Sequence, residues 1–142
     1  MACKWCTFDD QHLIIKEYKY WRLSIAESQI LLGWTHASLR RHVCFFDELE
    51  DKELAELKAV VKEIRHALAK TFKPDWFNVM QLGNMTPHLH FQLVPRYRTK
   101  RTFAGREFVD STFGRPIADK WVVEDDKFLV MIRDHLKDAM QS

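Results

Sequence analysis

The chain has little excess charge of either sign. Its 142 residues carry 22 Lys and Arg against 20 Asp and Glu, a net +2. That balance gives no argument for a protein that coats nucleic acid or an anionic membrane. No apolar run is long enough to span a bilayer, and the opening residues MACKWCTFDDQ lack the apolar core of a secretory signal. A soluble cytoplasmic protein is the expectation. Glycine and proline number four each, so no linker rich in them divides the chain. Repeats and low-complexity segments are also missing, and the length suits one domain over 1–142 with a single core. Three cysteines, Cys3, Cys6 and Cys44, are too few to build a disulfide framework. In a reducing compartment Cys3-x-x-Cys6 reads as a metal half-site or a redox motif. A thioredoxin-like motif should follow a strand and open a helix. This pair instead sits at the N-terminus ahead of charged and turn-forming residues, so metal is the better of the two readings.

What is present is patterned. Residues 12–18 (HLIIKEY) and 20–26 (YWRLSIA) read as short strands rich in aromatic and β-branched residues, 27–33 as a connection, and 34–43 as a third strand. Leu54, Leu57, Val61, Ile64 and Leu68 recur at spacings of three and four, which predicts a helix from Asp51 to Phe72. Acidic residues precede it, as suits the positive end of the helix dipole, and Pro74 ends it. Residues 76–83 and 88–96 read as a hairpin around the turn NMTP. Residues 97–121 read as an irregular basic loop with turns at Gly105 and Gly114. A second amphipathic helix is expected over 125–140, through Phe128, Met131, Ile132 and Leu136. Strands joined by short turns rather than repeated crossovers predict an antiparallel α+β fold.

The stretch HLHFQLVPR carries the chemistry. Side chains alternate on a strand, so His88, His90 and Gln92 share one face, while Leu89, Phe91 and Leu93 take the core side. Two histidines so placed can bind a metal, move protons or act as nucleophiles.

LGNMTPHLHFQLVPRY resembles the signature of the histidine triad (HIT) superfamily: His-x-His-x-His/Gln, an apolar pair, then Pro-Arg. Upstream, ILLGWTHASLRRHVCFFDELEDKELAEL is similar to that family's glycine-containing strand, basic-His-Val segment and following helix. With Cys3-x-x-Cys6 the resemblance covers residues 3 to about 97, and the tail RTFAGREFVDSTFGRPI is similar to bacterial members. The resemblance implies a HIT-like antiparallel sheet with one long central helix and a C-terminal helix. It implies that His90 attacks the α-phosphorus of a nucleotide and forms a covalent nucleotidyl-histidine. For that, the attacking nitrogen must be unprotonated while the other donates to a backbone carbonyl. Gln92 stands where hydrolases of the family usually have a third histidine. Glutamine cannot deliver a proton at neutral pH, but its amide N–H can stabilise a charged phosphoryl oxygen. That glutamine is similar to the branch of galactose-1-phosphate uridylyltransferase and dinucleoside polyphosphate phosphorylases, and tilts the reading toward transfer or phosphorolysis. Gln92 as a merely tolerated polar substitution is the plainer alternative.

The resemblance also implies a structural zinc held by Cys3, Cys6, His42 and His88, a set with no open position. A nucleotide substrate and a homodimer follow from it too, with no membrane partner. The family's ribose-binding and phosphate-binding positions match poorly, with Ala26, Trp34 and Met85 as departures. Glu27, Ser28, Asn84 and Thr86 are the substitute candidates. Cys44 reads as a buried core cysteine, and His12, His36, His66 and His135 as ordinary histidines, with His36 set apart by its place in the strand near the expected nucleotide pocket. Arg96, Arg98, Lys100, Arg101 and Arg106 can meet polyphosphate, a second substrate or a nucleic-acid end, or simply form a solvated loop. Dinucleoside polyphosphates, nucleoside phosphosulfates or nucleotide-linked small molecules are the expected substrates. The alternative is a non-catalytic nucleotide-binding or nucleic-acid-binding module of the same fold.

Overall fold

The computed structural model describes residues 3–118 and 120–141. A five-stranded antiparallel sheet has the order β1-β2-β3-β5-β4, built from β1 (Ile14–Glu17), β2 (Trp21–Ile25), β3 (Thr35–Leu39), β4 (Trp76–Gln81) and β5 (His90–Arg96). A short helix α1 (Lys4–Thr7) precedes the sheet, α2 (Asp51–Thr71) lies between β3 and β4, and α3 (Asp126–Gln141) closes the chain. This is the antiparallel α+β fold with a long central helix and a C-terminal helix that the sequence pattern predicts. No helix among the described residues is long and apolar enough to cross a membrane.

The register sorts the sheet into two faces. Leu23, Ala37 and Phe91 stand opposite one another across β2, β3 and β5, and residues directly opposite share a face. Together with Leu39 and Leu93 they pack against Leu57, Val60, Ile64 and Leu68 of α2 and Phe128, Leu129, Ile132 and Leu136 of α3. The other face is polar. It carries Arg22 and Ser24, Ser38 and His36, His90 and Gln92, and on β4 Met80 and Asn78, aligned by the same pairings. Between β2 and β3 the chain turns hard against α2. Gly33 has φ +91°, and a Cβ there would sit 2.6 Å from Leu68 Cδ2.

Several elements differ from the sequence reading. The buried face of α2 runs Leu57, Val60, Ile64, Ala67 and Leu68, and Leu54 is exposed. In the first turn the buried place is taken by Glu53. Its carboxylate accepts two bonds from Arg41 (2.8 and 2.9 Å) and one from the Glu50 N–H (2.8 Å). On α3 the buried residue is Leu129 and Met131 is exposed. The third strand ends at Leu39, which lets residues 40–43 swing away and carry His42 elsewhere. The segment 97–121 is not wholly irregular. It holds a hairpin of β6 (Arg101–Phe103) and β7 (Arg106–Phe108), turning at Ala104 (φ 51°) and Gly105 (φ 77°), the left-handed pair that tight hairpins require. Three-residue strands are too short to print a periodic pattern.

Candidate functional site

Four side chains from three parts of the chain converge beside the start of β5. Cys3 Sγ lies 3.3 Å from His88 Nδ1, and Cys6 Sγ lies 3.3 Å from His42 Nδ1 and 3.5 Å from His88 Nδ1. The two Nδ1 atoms are 3.0 Å apart, and all four donor atoms fall within 4.8 Å of one another. A tetrahedral ion bound by two thiolates and two imidazoles has ligand–ligand edges of roughly 3.3–3.8 Å, so the cluster has the size of a metal site. The chemistry of the donors agrees. His88 Nε2–H donates to the Leu39 carbonyl at 2.6 Å, which leaves the Nδ1 lone pair turned into the cluster. Two turn-like connections supply the rest: α1 brings the cysteines together, and the chain beyond Leu39 brings His42. Cys44 is half-buried beside them rather than in the core. Its thiol donates to the Pro87 carbonyl at 3.2 Å and lies 4.0 Å from His42 Nε2.

Two residues on, His90 is buried (5% exposed) on the polar face. Its Nδ1–H donates to the His88 carbonyl at 2.6 Å. A carbonyl only accepts, so the tautomer is fixed and the lone pair sits on Nε2. Burial lowers the His90 pKa; the bond to the His88 carbonyl opposes this and the nearby Lys4 adds to it, leaving the group below its usual value. The ring is therefore neutral at ordinary pH. The Trp5 indole stacks on it at 4.5 Å and 25°, held between Cys3 and Cys6 and donating to the Thr86 hydroxyl at 3.3 Å.

Gln92 is clamped. Its Oε1 accepts from Trp34 Nε1–H and from His36 Nε2–H, both at 2.7 Å. An indole N–H can only donate, so Trp34 decides which way the amide faces and turns the –NH2 end away from both donors. Trp34 and His36 are the residues that sequence reasoning underrated: one counted as a departure, the other as an ordinary histidine. The sequence signal was their spacing of two, with His36 on β3, the strand that pairs with β5, and Trp34 just before it. Gln92→His is expected to lower stability by about 1–3 kcal/mol. One imidazole nitrogen cannot accept from both donors, and a urea titration of the variant checks it.

His36 is buried, and burial first, then His90, pushes its pKa down to about 3, with the bond to Gln92 working the other way and Lys4 adding to the fall. The sign follows. Below the unfolded value of 6.5 the unfolded chain takes up a proton that the folded chain refuses, so acid favours unfolding. Between about pH 7 and about pH 5 the wild type is expected to lose about 2 kcal/mol more stability than His36→Gln. Denaturant titrations at the two pH values measure the difference.

The remaining candidates are dispersed. Thr86 reaches the site through Trp5, and its carbonyl accepts the His88 N–H at 2.8 Å. Asn84 is exposed in the same turn. Glu27 lines a small cavity of about 20 Å³ with Trp5, Ser24, His36 and Trp121. Ser28 is fully buried, and its Oγ accepts the Val122 N–H at 3.3 Å, which pins the segment whose Trp121 stacks on His36. Most of the basic cluster has other duties. Arg96 is buried against Asp110, Lys100 pairs with Glu107, Arg101 bonds the Phe72 and Lys73 carbonyls, and Arg106 pairs with Glu124. Arg98 is exposed and lies over the Phe113 ring at 4.6 Å. His12 pairs with Asp126 and His135 bonds the Met131 carbonyl.

The five-stranded antiparallel sheet carries a His-x-His-x-Gln strand on its polar face. Residues 36–99 match the family model for the HIT domain. An uncharacterized HIT-like protein of Mycoplasma genitalium is 29% identical over 76 residues, 50% of this chain and 54% of that one. The chain thus spans about half the length of the curated relative it matches. A Zn-bound histidine triad family protein of Mycobacterium smegmatis has the same fold, with a TM-score of 0.68 at 16% identity over 97% of this chain and 95% of that one. So has the diadenosine triphosphate hydrolase of Plasmodium falciparum, with a TM-score of 0.69 at 12% identity over 93% of this chain and 78% of that one.

Proposed function

We propose that the protein is a nucleotidyl hydrolase or transferase acting on the α-phosphate of a dinucleoside polyphosphate or similar nucleotide, through a covalent nucleotidyl-histidine at His90. The observation that carries this reading is the bond from His90 Nδ1–H to the His88 carbonyl, which puts the reactive lone pair on Nε2. The Nε2 lone pair attacks the α-phosphorus, a P–N bond forms, and the P–O bond to the leaving phosphate breaks with its electron pair. An acceptor oxygen, from water or phosphate, then forms a new P–O bond while the P–N electrons return to Nε2; an attacking water releases its proton to solvent. Gln92 donates its free amide N–H to a non-bridging oxygen as charge develops. It supplies no proton, so the leaving group must be stable as an anion, as a phosphate is. That a diadenosine triphosphate hydrolase shares the fold supports the same class of substrate.

Zinc at Cys3, Cys6, His42 and His88 is the structural part of the proposal, supported by the close spacing of the four donor atoms and by the Zn-bound protein of like fold. It would tie α1 to the strand that bears His90 and hold Trp5 over the ring. Freshly purified protein is expected to contain one zinc per chain, and Cys3→Ser to weaken zinc binding by more than about tenfold, since even outer-shell changes cost that much. Metal analysis and a chelator titration read both. A homodimer belongs to the same proposal; light scattering measures it.

Incubation with a panel of nucleotides, rapid quench and intact mass test the catalytic reading. A nucleotidyl adduct present in wild type and missing in His90→Ala supports it, and no adduct with any nucleotide sinks it. The second reading, a nucleotide-binding module without turnover, draws on Trp5 and Trp121 lying over His90 and His36; binding without any adduct would favour it.

A further inference from the structure

The polar face of the sheet does not end at Gln92. Met80 stands directly opposite Gln92 on β4, followed on the same face by Asn78 and Trp76. At roughly 3.3 Å per residue this row runs about 13 Å away from the site. A groove of about 530 Å³ lies along it, lined by Trp76, Asn78, Met80, Arg98, Phe113 and Arg115 among others, with no acidic residue among the described residues of its wall. That volume is in the range of sites for small organic ligands.

From these residues we infer that the groove is a second subsite, which takes the departing half of a dinucleoside polyphosphate: its phosphates and its second base. The inference rests on the catalytic reading of His90. Three observations support it. The first is chemical complementarity. Trp76 is 66% exposed and lines the groove with Phe113; Arg98 lies over the Phe113 ring, and the Arg98 and Arg115 side chains have no carboxylate partner among the described residues. Aromatic planes beside guanidinium groups suit a ligand that is both anionic and aromatic. The second is preorganisation. Arg96, buried beneath the groove, bonds Asn78 Oδ1 (3.0 Å), both oxygens of Asp110 (2.8 and 3.1 Å) and the carbonyls of Thr112 (2.5 Å) and Arg115 (2.9 Å). Floor and wall are thus joined before any ligand arrives, which reduces the ordering cost of binding. The third is continuity. The groove wall includes Met80, the β4 partner of Gln92, so the groove adjoins the residue that a leaving group would pass.

Calorimetry on the intact, metal-loaded protein tests this without chemistry, using a methylene-bridged dinucleoside tetraphosphate and the matching mononucleotide. The long ligand is expected to bind at least about tenfold tighter, given what base stacking on an aromatic contributes. Trp76→Ala and Arg115→Ala, both at exposed positions, should each bring the ratio toward one and leave mononucleotide affinity unchanged. Equal affinities in wild type, no binding of either ligand, or a ratio indifferent to both substitutions overturns the subsite. So does a Trp76→Ala variant whose oligomeric state changes while the ratio does not. Failure of the catalytic reading shows separately, as the absence of a His90-linked adduct while the affinity ratio persists.

Discussion

His90→Ala is expected to reduce turnover of a dinucleoside polyphosphate by at least about ten-thousand-fold, with zinc content unchanged. The reason is particular to this residue. His88 presents its nitrogen lone pair to the two cysteines and His42, and His36 has committed its Nε2–H to Gln92. Of the three histidines on this face, His90 alone has a fixed, unprotonated Nε2 beside the amide of Gln92. What remains in the variant is the binding of phosphate by neighbouring donors, which orients substrate but opens no two-step route. Free imidazole, small enough to enter the space left beside Trp5, should restore part of the activity to His90→Ala. Loss of activity without such rescue, together with loss of zinc, would assign the histidine a structural role. By contrast Gln92→Ala, on the proposed mechanism, removes one transition-state donor, and a fall of about a hundred- to a thousand-fold is expected.

Asp110→Ala is expected to destabilise the fold by about 3–5 kcal/mol, because it leaves a buried guanidinium without its counter-charge. The Arg96 and Asp110 side chains are 3% and 1% exposed, and the Asp110 carboxylate also accepts the Tyr97 N–H at 3.1 Å. For this chain length the melting temperature should drop by about 10 °C or more. Burial alone would raise the Asp110 pKa, but the bond from Arg96, the Tyr97 N–H and the Arg96 charge outweigh it and hold the carboxyl below its ordinary 3.8. A depressed carboxylate stabilises the fold above its unfolded pKa. This contribution should therefore persist at mildly acidic pH and vanish only as pH falls through the lowered folded value, the reverse of the early acid loss expected from His36. Replacing both partners by apolar residues of similar volume should recover part of the loss, though the carbonyls of Thr112 and Arg115 would lose their donors. Thermal melts of the single and double variants separate these cases.

Much of the fold was legible because the long elements carry strong periods. The apolar rows of α2 and α3, and the alternation of β5, each specify one face. The errors fall where a polar contact overrode the pattern. Glu53 took the inner place in the first turn of α2 because Arg41 and the Glu50 N–H satisfy it, and Leu54 turned outward as a result. The cluster of two cysteines and two histidines was readable as residue types at a familiar spacing, and the geometry gathers the same four side chains. The amide clamp was not readable, because pairing Trp34 and His36 with Gln92 depends on the β3–β5 register, which no local window contains. Arg96 stayed open for a related reason. A basic residue after the triad reads as a phosphate ligand or as part of a solvated loop until Asp110, fourteen residues on, is seen to pair with it in the interior.

The position of the nucleophilic atom is tested most directly by phosphorus–nitrogen NMR of the quenched adduct in protein labelled with heavy nitrogen. Because the His88 carbonyl holds the Nδ1 proton, phosphorus is expected on Nε2 of His90. Phosphorus on Nδ1, on another histidine, or on no nitrogen at all would contradict it.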